Sequence, residues 1–216
     1  MFLTITFFFA SPAQAQVVTM KAGAQTEMEL SVGDNLNGIT SEKVILFTEK
    51  EGVVLSTELP VNLLVAKATN LFDNWVSEFG SNNESPLKYN GMITVSKPNP
   101  RQYAGEIETG TKVTSFLLHF NHSGEERVTE VASFAFDQPI LGLIYDGEDL
   151  IATDEILGLE GVTYAPDDKP ESRRTADGEE NIDHIMVIPD QNAVIMYSRV
   201  GSRTDQVRVI VEAPDV

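Results

Sequence analysis

Apolar residues in this chain come in short runs broken by turn-forming residues, which is the signature of strands rather than of long helices. Lys43–Thr48 (KVILFT) and Val53–Thr57 (VVLST) flank Glu51-Gly52 and predict a β-hairpin, and Pro60–Val65 continues in extended style. Strands resume from Met92. Lys112–Phe120 (KVTSFLLHF) is β-branched and aromatic, and Arg127–Phe136 sets Val128, Val131, Phe134 and Phe136 among polar residues. Ile140–Tyr145 is apolar throughout, which predicts a central strand. Ile182–Ile188 and Ala193–Val200 predict a second hairpin around Pro189-Asp190-Gln191-Asn192, and Val207–Val211 (VRVIV) a last strand.

Two stretches depart from this rhythm. Leu71, Phe72, Trp75, Val76 and Phe79 recur at helical spacing, with Asn70 as a cap and Gly80 as a stop. Thr153–Leu157 predicts one helical turn, capped by Thr153 and ended by Gly158, with Asp154 and Glu155 in its first turn. Val162–Asn181, rich in proline and charge, reads as a long loop. No βαβ rhythm and no internal repeat is present. The expected fold is all-β, a mainly antiparallel sandwich or jelly roll with one short helical insertion at Asn70–Phe79.

The first fifteen residues stand apart. Phe2–Ala10 is almost wholly apolar, Ser11-Pro12 breaks it, and Ala13-Gln14-Ala15 supplies an A-x-A cleavage site. This is the layout of a signal peptide, lacking only a basic residue ahead of the apolar run. The run is shorter than the roughly 20 residues that span a bilayer. Residues 1–15 are therefore expected to be a signal peptide and 16–216 a single domain in a secreted, periplasmic or cell-surface location, with no membrane insertion of the mature chain.

Charge narrows the partners. Thirty-three acidic residues against 15 basic ones give a net charge of −18. Such a surface repels nucleic acid, so no nucleic-acid partner is expected. The chain has no cysteine, which removes disulfides, thiolate metal sites and cysteine nucleophiles together.

Ordered blocks in the second half carry a resemblance. They are Gly110-Thr111-Lys112-Val113 leading to Ser115–Phe120, then Phe136-Asp137-Gln138-Pro139-Ile140-Leu141-Gly142, Asp154 with Leu157-Gly158, Tyr164, and Asp205–Ile210. Together they resemble a module of exported bacterial proteins of the PEP-CTERM sorting type. The resemblance covers about Gly110–Val211 and implies an extracellular or envelope-associated protein. The closing residues Val211–Val216 lack Pro-Glu-Pro, an apolar helix and a basic tail, so export is implied but membrane sorting is not.

Candidate chemistry is sparse. His119 and His122 stand three apart, which on a strand sends them to opposite faces. No G-x-S-x-G elbow accompanies a serine, and 33 acids give too many accidental pairs to mark a hydrolase. The best cation candidate is Asp146, Glu148 and Asp149 around a glycine turn, with Asp154 following. Calcium, which takes six to eight oxygens, is the metal these would suit, although the spacing is not that of an EF-hand. A solvated turn leading into a capped helix accounts for the same residues. The expected function is a structural or binding module without catalysis. The alternatives are a carbohydrate- or calcium-dependent binding module with an extracellular polysaccharide or matrix partner, and an extracellular hydrolase.

Overall fold

The computed structural model describes residues 17–21, 28–69, 92–95, 103–122, 126–164, 173–174, 184–200 and 204–214. Among them are fourteen strands: β1 Val17–Lys21, β2 Met28–Glu29, β3 Ile45–Val54, β4 Leu59–Val61, β5 Leu63–Leu64, β6 Ile93–Val95, β7 Gly105–Ile107, β8 Lys112–Asn121, β9 Val128–Phe136, β10 Ile140–Ile144, β11 Arg173–Arg174, β12 His184–Ile188, β13 Ala193–Val200 and β14 Thr204–Glu212. Helix α1 spans Gly147–Leu157. A further helical turn occupies 65–69. The helix expected at Asn70–Phe79, with Trp75, lies outside the described residues.

Two sheets face each other. One has five strands in the order β1-β9-β13-β12-β6. The other has seven, in the order β2-β3-β8-β14-β10-β5, with β11 added in parallel alongside β14. β4 and β7 form a small separate pair. The long ladders are antiparallel: β8 and β14 pair without interruption from Asn121↔Thr204 to Val113↔Glu212, and β9 pairs β13 from Val128↔Val200 to Ala135↔Ala193.

The alternation of side chains along β8 and β14 divides the interior in two. On one face, Phe116, Leu118 and Phe120 of β8 and Val207, Val209 and Val211 of β14 meet Phe134, Ile185, Val187, Val194 and Met196 from the five-stranded sheet. Each fully buried side chain of this kind contributes about 1.5–3 kcal/mol. On the other face, Val113, Leu117 and Ile210 meet a cover layer built from Leu150 and Leu157 of α1, Leu36 of a 3-10 turn, Leu59 and Val61 of β4, Ile107 of β7, and Tyr164. The middle of the seven-stranded sheet is thus buried on both sides, and β8 from Val113 and β14 up to Val211 have no exposed residue.

The all-β sandwich agrees with the sequence pattern, and three local expectations are corrected. Residues 45–54 form one strand rather than a hairpin. The register against β8 slips between Thr48 and Lys50 and again before Val53, and Gly52, at φ 63°, absorbs the bend that reads locally as a turn. The helix expected at Thr153–Leu157 begins six residues earlier, at Gly147, because Asp146 caps it and Glu148 and Asp149 fill its first turn. Gly158 ends it as expected. A side chain there would collide with Asp154 O at 2.6 Å and with the Tyr164 ring. Within the expected long loop 162–181, Thr163 bridges to Asn35 and β11 joins the sheet.

Candidate functional site

The polar chemistry of the described residues concentrates beneath α1, on the covered face of the seven-stranded sheet. At the β3 bulge, Glu49 and Lys50 stand where a regular strand would place one residue opposite Ser115. Glu49 turns inward with its side chain fully buried, as is that of Arg208. Arg208 Nε donates to Glu49 Oε2 and Nη2 to Oε1, both at 2.7 Å, a bidentate fork. Nη2 also donates to Asp154 Oδ1 at 2.8 Å. Nη1 donates to Thr153 Oγ1 at 2.7 Å and to Leu150 O at 3.1 Å. All five guanidinium N–H groups are therefore engaged. Ser115 Oγ donates to Glu49 Oε2 at 2.7 Å, and the Tyr164 ring lies 5.8 Å from Arg208 Cζ.

Burial alone would lower the pKa of Arg208. The charge and hydrogen bonds of Glu49, and then of Asp154, outweigh it and hold the guanidinium above its ordinary value. The same environment raises the Tyr164 phenol, first through burial and then through the Glu49 charge. Because the unfolded phenol ionises near pH 10, this stabilisation is complete below about pH 10 and fades as the pH climbs toward the folded value. Between pH 10 and 12 the parent should lose up to about 1.4 kcal/mol of stability per pH unit more than Tyr164→Phe does, as read by urea denaturation at stepped pH. Equal slopes would contradict the assignment.

Further contacts fasten the cover. Lys50 Nζ donates to Glu155 O and Ile156 O, supplying a cation at the C-terminal end of α1, whose own last turn has no basic residue. At the other end the buried side chain of Asn62 acts as a hub. Its Oδ1 accepts from Tyr145 N at 2.7 Å and Asp146 N at 2.9 Å, and its Nδ2 donates to Asp149 Oδ2 at 2.5 Å. Asp146 Oδ1 in turn accepts from Glu148 N. Further along the sheet, His119 is buried with Nε2 at 3.0 Å from Ile39 O and Nδ1 at 3.1 Å from Gln206 Nε2, which assigns the proton to Nε2.

An open cleft of about 370 Å3 lies between β4, β7 and the first turn of α1, with Asn62, Glu106 and Asp149 as its polar lining. The four acids singled out from the sequence fall to different tasks: Asp146 caps α1, Glu148 is exposed, Asp149 meets Asn62 at the cleft and Asp154 pairs with Arg208. Among the described residues, no group of three or more His, Asp or Glu side chains is placed to hold a metal ion. His119 and His184 stand in different sheets.

Glu49, Asn62, Ser115 and Arg208 did not stand out in the sequence. The one signal was Arg208 itself, a lone cation inside the apolar run VRVIV. A scan against protein-family models, a search of curated proteins and a search of solved structures each return no match.

Proposed function

We propose that this chain is an exported β-sandwich module, secreted or held at the cell envelope, with a structural or binding role rather than a catalytic one. The observation that carries this reading is the use of its buried charges. Arg208 and Glu49 spend their hydrogen-bonding capacity on each other and on fastening α1 to the sheet, an arrangement that makes a rigid scaffold. The A-x-A site at Ala13–Ala15 and the likeness of Gly110–Val211 to modules of exported bacterial proteins support the location. No helix among the described residues is long and apolar enough to cross a membrane. The cleft beside Asn62 is the place for a ligand, and its carboxylates and amide suit the hydroxyl groups of a polysaccharide.

The test is expression of the full chain in a bacterial host, followed by fractionation and intact mass. The expected product lies outside the cytoplasm and begins at Gln16. Retention in the cytoplasm with Met1 intact would overturn the proposal. The binding role is checked by co-sedimentation with insoluble polysaccharides, where Glu106→Gln should weaken retention.

A further inference from the structure

The buried amide of Asn62 has one hydrogen-bonding position that the fold does not fill. A primary amide offers two acceptor lone pairs and two N–H donors. Both lone pairs of Oδ1 are taken, by the N–H groups of Tyr145 and Asp146. One N–H of Nδ2 goes to Asp149 Oδ2 at 2.5 Å. The other finds no acceptor among the described residues, although Asn62 is only 3% exposed. The amide cannot be reversed to cure this, since that would set Nδ2 against two backbone donors. Oδ1 is turned to the backbone at 145–146, so the Nδ2 edge lies on the side of Asp149, and both residues line the open cleft of about 370 Å3. A buried donor left unpaired is costly, and a ligand that supplies its acceptor recovers that cost.

The rest of the lining narrows the ligand. It carries the carboxylates of Asp149 and of Glu106, which stands exposed opposite Pro60, and no cation. Lys67, outside the lining, has its ammonium on Ala104 O at 2.6 Å. A cationic ligand would pair with the carboxylates but has no acceptor for the amide. An anion would accept from the amide but is repelled by both carboxylates. A hydroxyl donates and accepts, so hydroxyls serve both kinds of group. One hydroxyl is not enough. The two N–H bonds of a planar amide diverge by about 120°, so an acceptor at about 2.9 Å on the second one lies about 4.7 Å from Asp149 Oδ2. That is too far for the same hydroxyl to donate to Oδ2, whereas a second hydroxyl on the next carbon bridges the gap.

We infer that the cleft selects a vicinal diol of a hexopyranose unit: one hydroxyl accepts from Asn62 Nδ2, and its neighbour donates to Asp149 Oδ2. Glu106 is the acceptor for a further hydroxyl, and Pro60 and Val61 supply apolar surface for the C–H groups of the ring. This rests on the binding role proposed above and adds the hydroxyl pattern that is recognised.

The linkage of a polysaccharide decides whether it offers that pattern. A 1,4-linked glucan or mannan keeps a free 2,3-diol on every internal residue. In a 1,3-linked glucan the linkage occupies the middle oxygen, so the free hydroxyls on carbons 2 and 4 are not adjacent. The test is co-sedimentation of the full chain with insoluble 1,4-linked glucan, 1,4-linked mannan and 1,3-linked glucan. A second sample of each is first cleaved with periodate, which breaks the carbon–carbon bond of a vicinal diol, and reduced with borohydride, which leaves the hydroxyl count of a 1,4-linked residue unchanged. Retention on the 1,4-linked glucan or mannan should exceed that on the 1,3-linked glucan by at least about 10-fold and fall to its level after periodate. Asn62→Asp keeps an acceptor for Tyr145 and Asp146 but, sharing one proton with Asp149, has no second hydrogen to donate. It should lose the same retention with an unchanged circular dichroism spectrum; a folded variant that binds like the parent overturns the inference. If the variant unfolds, the periodate comparison on the parent chain still decides. Retention that survives periodate, or that is as strong on the 1,3-linked glucan, overturns the diol and leaves the binding role standing. No retention on any of the three defeats the binding role and the diol with it.

Discussion

Arg208→Gln should destabilise the domain by about 3–5 kcal/mol, because it leaves the Glu49 carboxylate buried without its partner. For a domain of this size the melting temperature should fall by about 6–20 °C. The loss is large for a physical reason. Glu49 has no access to water, and besides Arg208 its carboxylate has only neutral groups beside it, the Ser115 hydroxyl and the Tyr164 phenol. The same substitution strips Thr153 Oγ1 and Leu150 O of a donor, so α1 should loosen from the sheet before the sandwich opens. Hydrogen exchange should show this as faster exchange in 147–157 than in β8. Asp154→Asn should cost only about 1 kcal/mol, since that carboxylate keeps a quarter of its side-chain surface in water. An Arg208→Gln protein that melts with the parent would show that the guanidinium contributes nothing to stability.

Asn62→Ala is the second large effect. The amide of Asn62 is the acceptor for two backbone N–H groups, those of Tyr145 and Asp146, where the chain leaves β10 and enters α1. Alanine keeps the volume nearly open but removes the acceptor, and each orphaned buried N–H costs about 1–3 kcal/mol. The expected loss is about 2–5 kcal/mol by urea denaturation followed by circular dichroism. The Asp149 carboxylate also loses its contact with Asn62, so the polar lining of the cleft should lose its shape together with the helix cap. A loss below about 0.5 kcal/mol, the level of an ordinary surface substitution, would mean that water replaces the amide there.

The strands that the sequence revealed most clearly are those bounded by strong turn chemistry. Ala193–Val200 was legible to the residue because Pro189 to Asn192 punctuates the hairpin, with Asn192 in the left-handed region. β8 and β9 were legible from their β-branched and aromatic runs. The start of α1 was not, because Asp146-Gly147-Glu148-Asp149 carries turn and N-cap signals at once, and only the partner Asn62, 84 positions from Asp146, decides between them. The Arg208 cluster was hidden for a different reason. Along β14 the polar residues Gln206 and Arg208 alternate with valines, which by itself reads as a solvent face. What reverses that reading is the cover layer, and it is assembled from β4, β7, α1 and Tyr164, segments scattered through the chain. Glu49 reaches Arg208 across 159 positions, from a strand that looked like a hairpin. No local pattern encodes a pairing of that kind.

Buried Arg208 and Glu49 compensate each other and fasten the scaffold. A double-mutant cycle between Glu49 and Arg208 tests this most directly. Arg208→Met strands the buried Glu49 carboxylate and should cost about 3–5 kcal/mol, and Glu49→Leu leaves the buried guanidinium with only the partly exposed Asp154 and should be destabilised as well. The combined Glu49→Leu, Arg208→Met protein strands neither, and chemical denaturation should find it more stable than either single variant by at least about 1 kcal/mol. A combined variant whose destabilisation equals or exceeds the sum of the two singles would contradict the account.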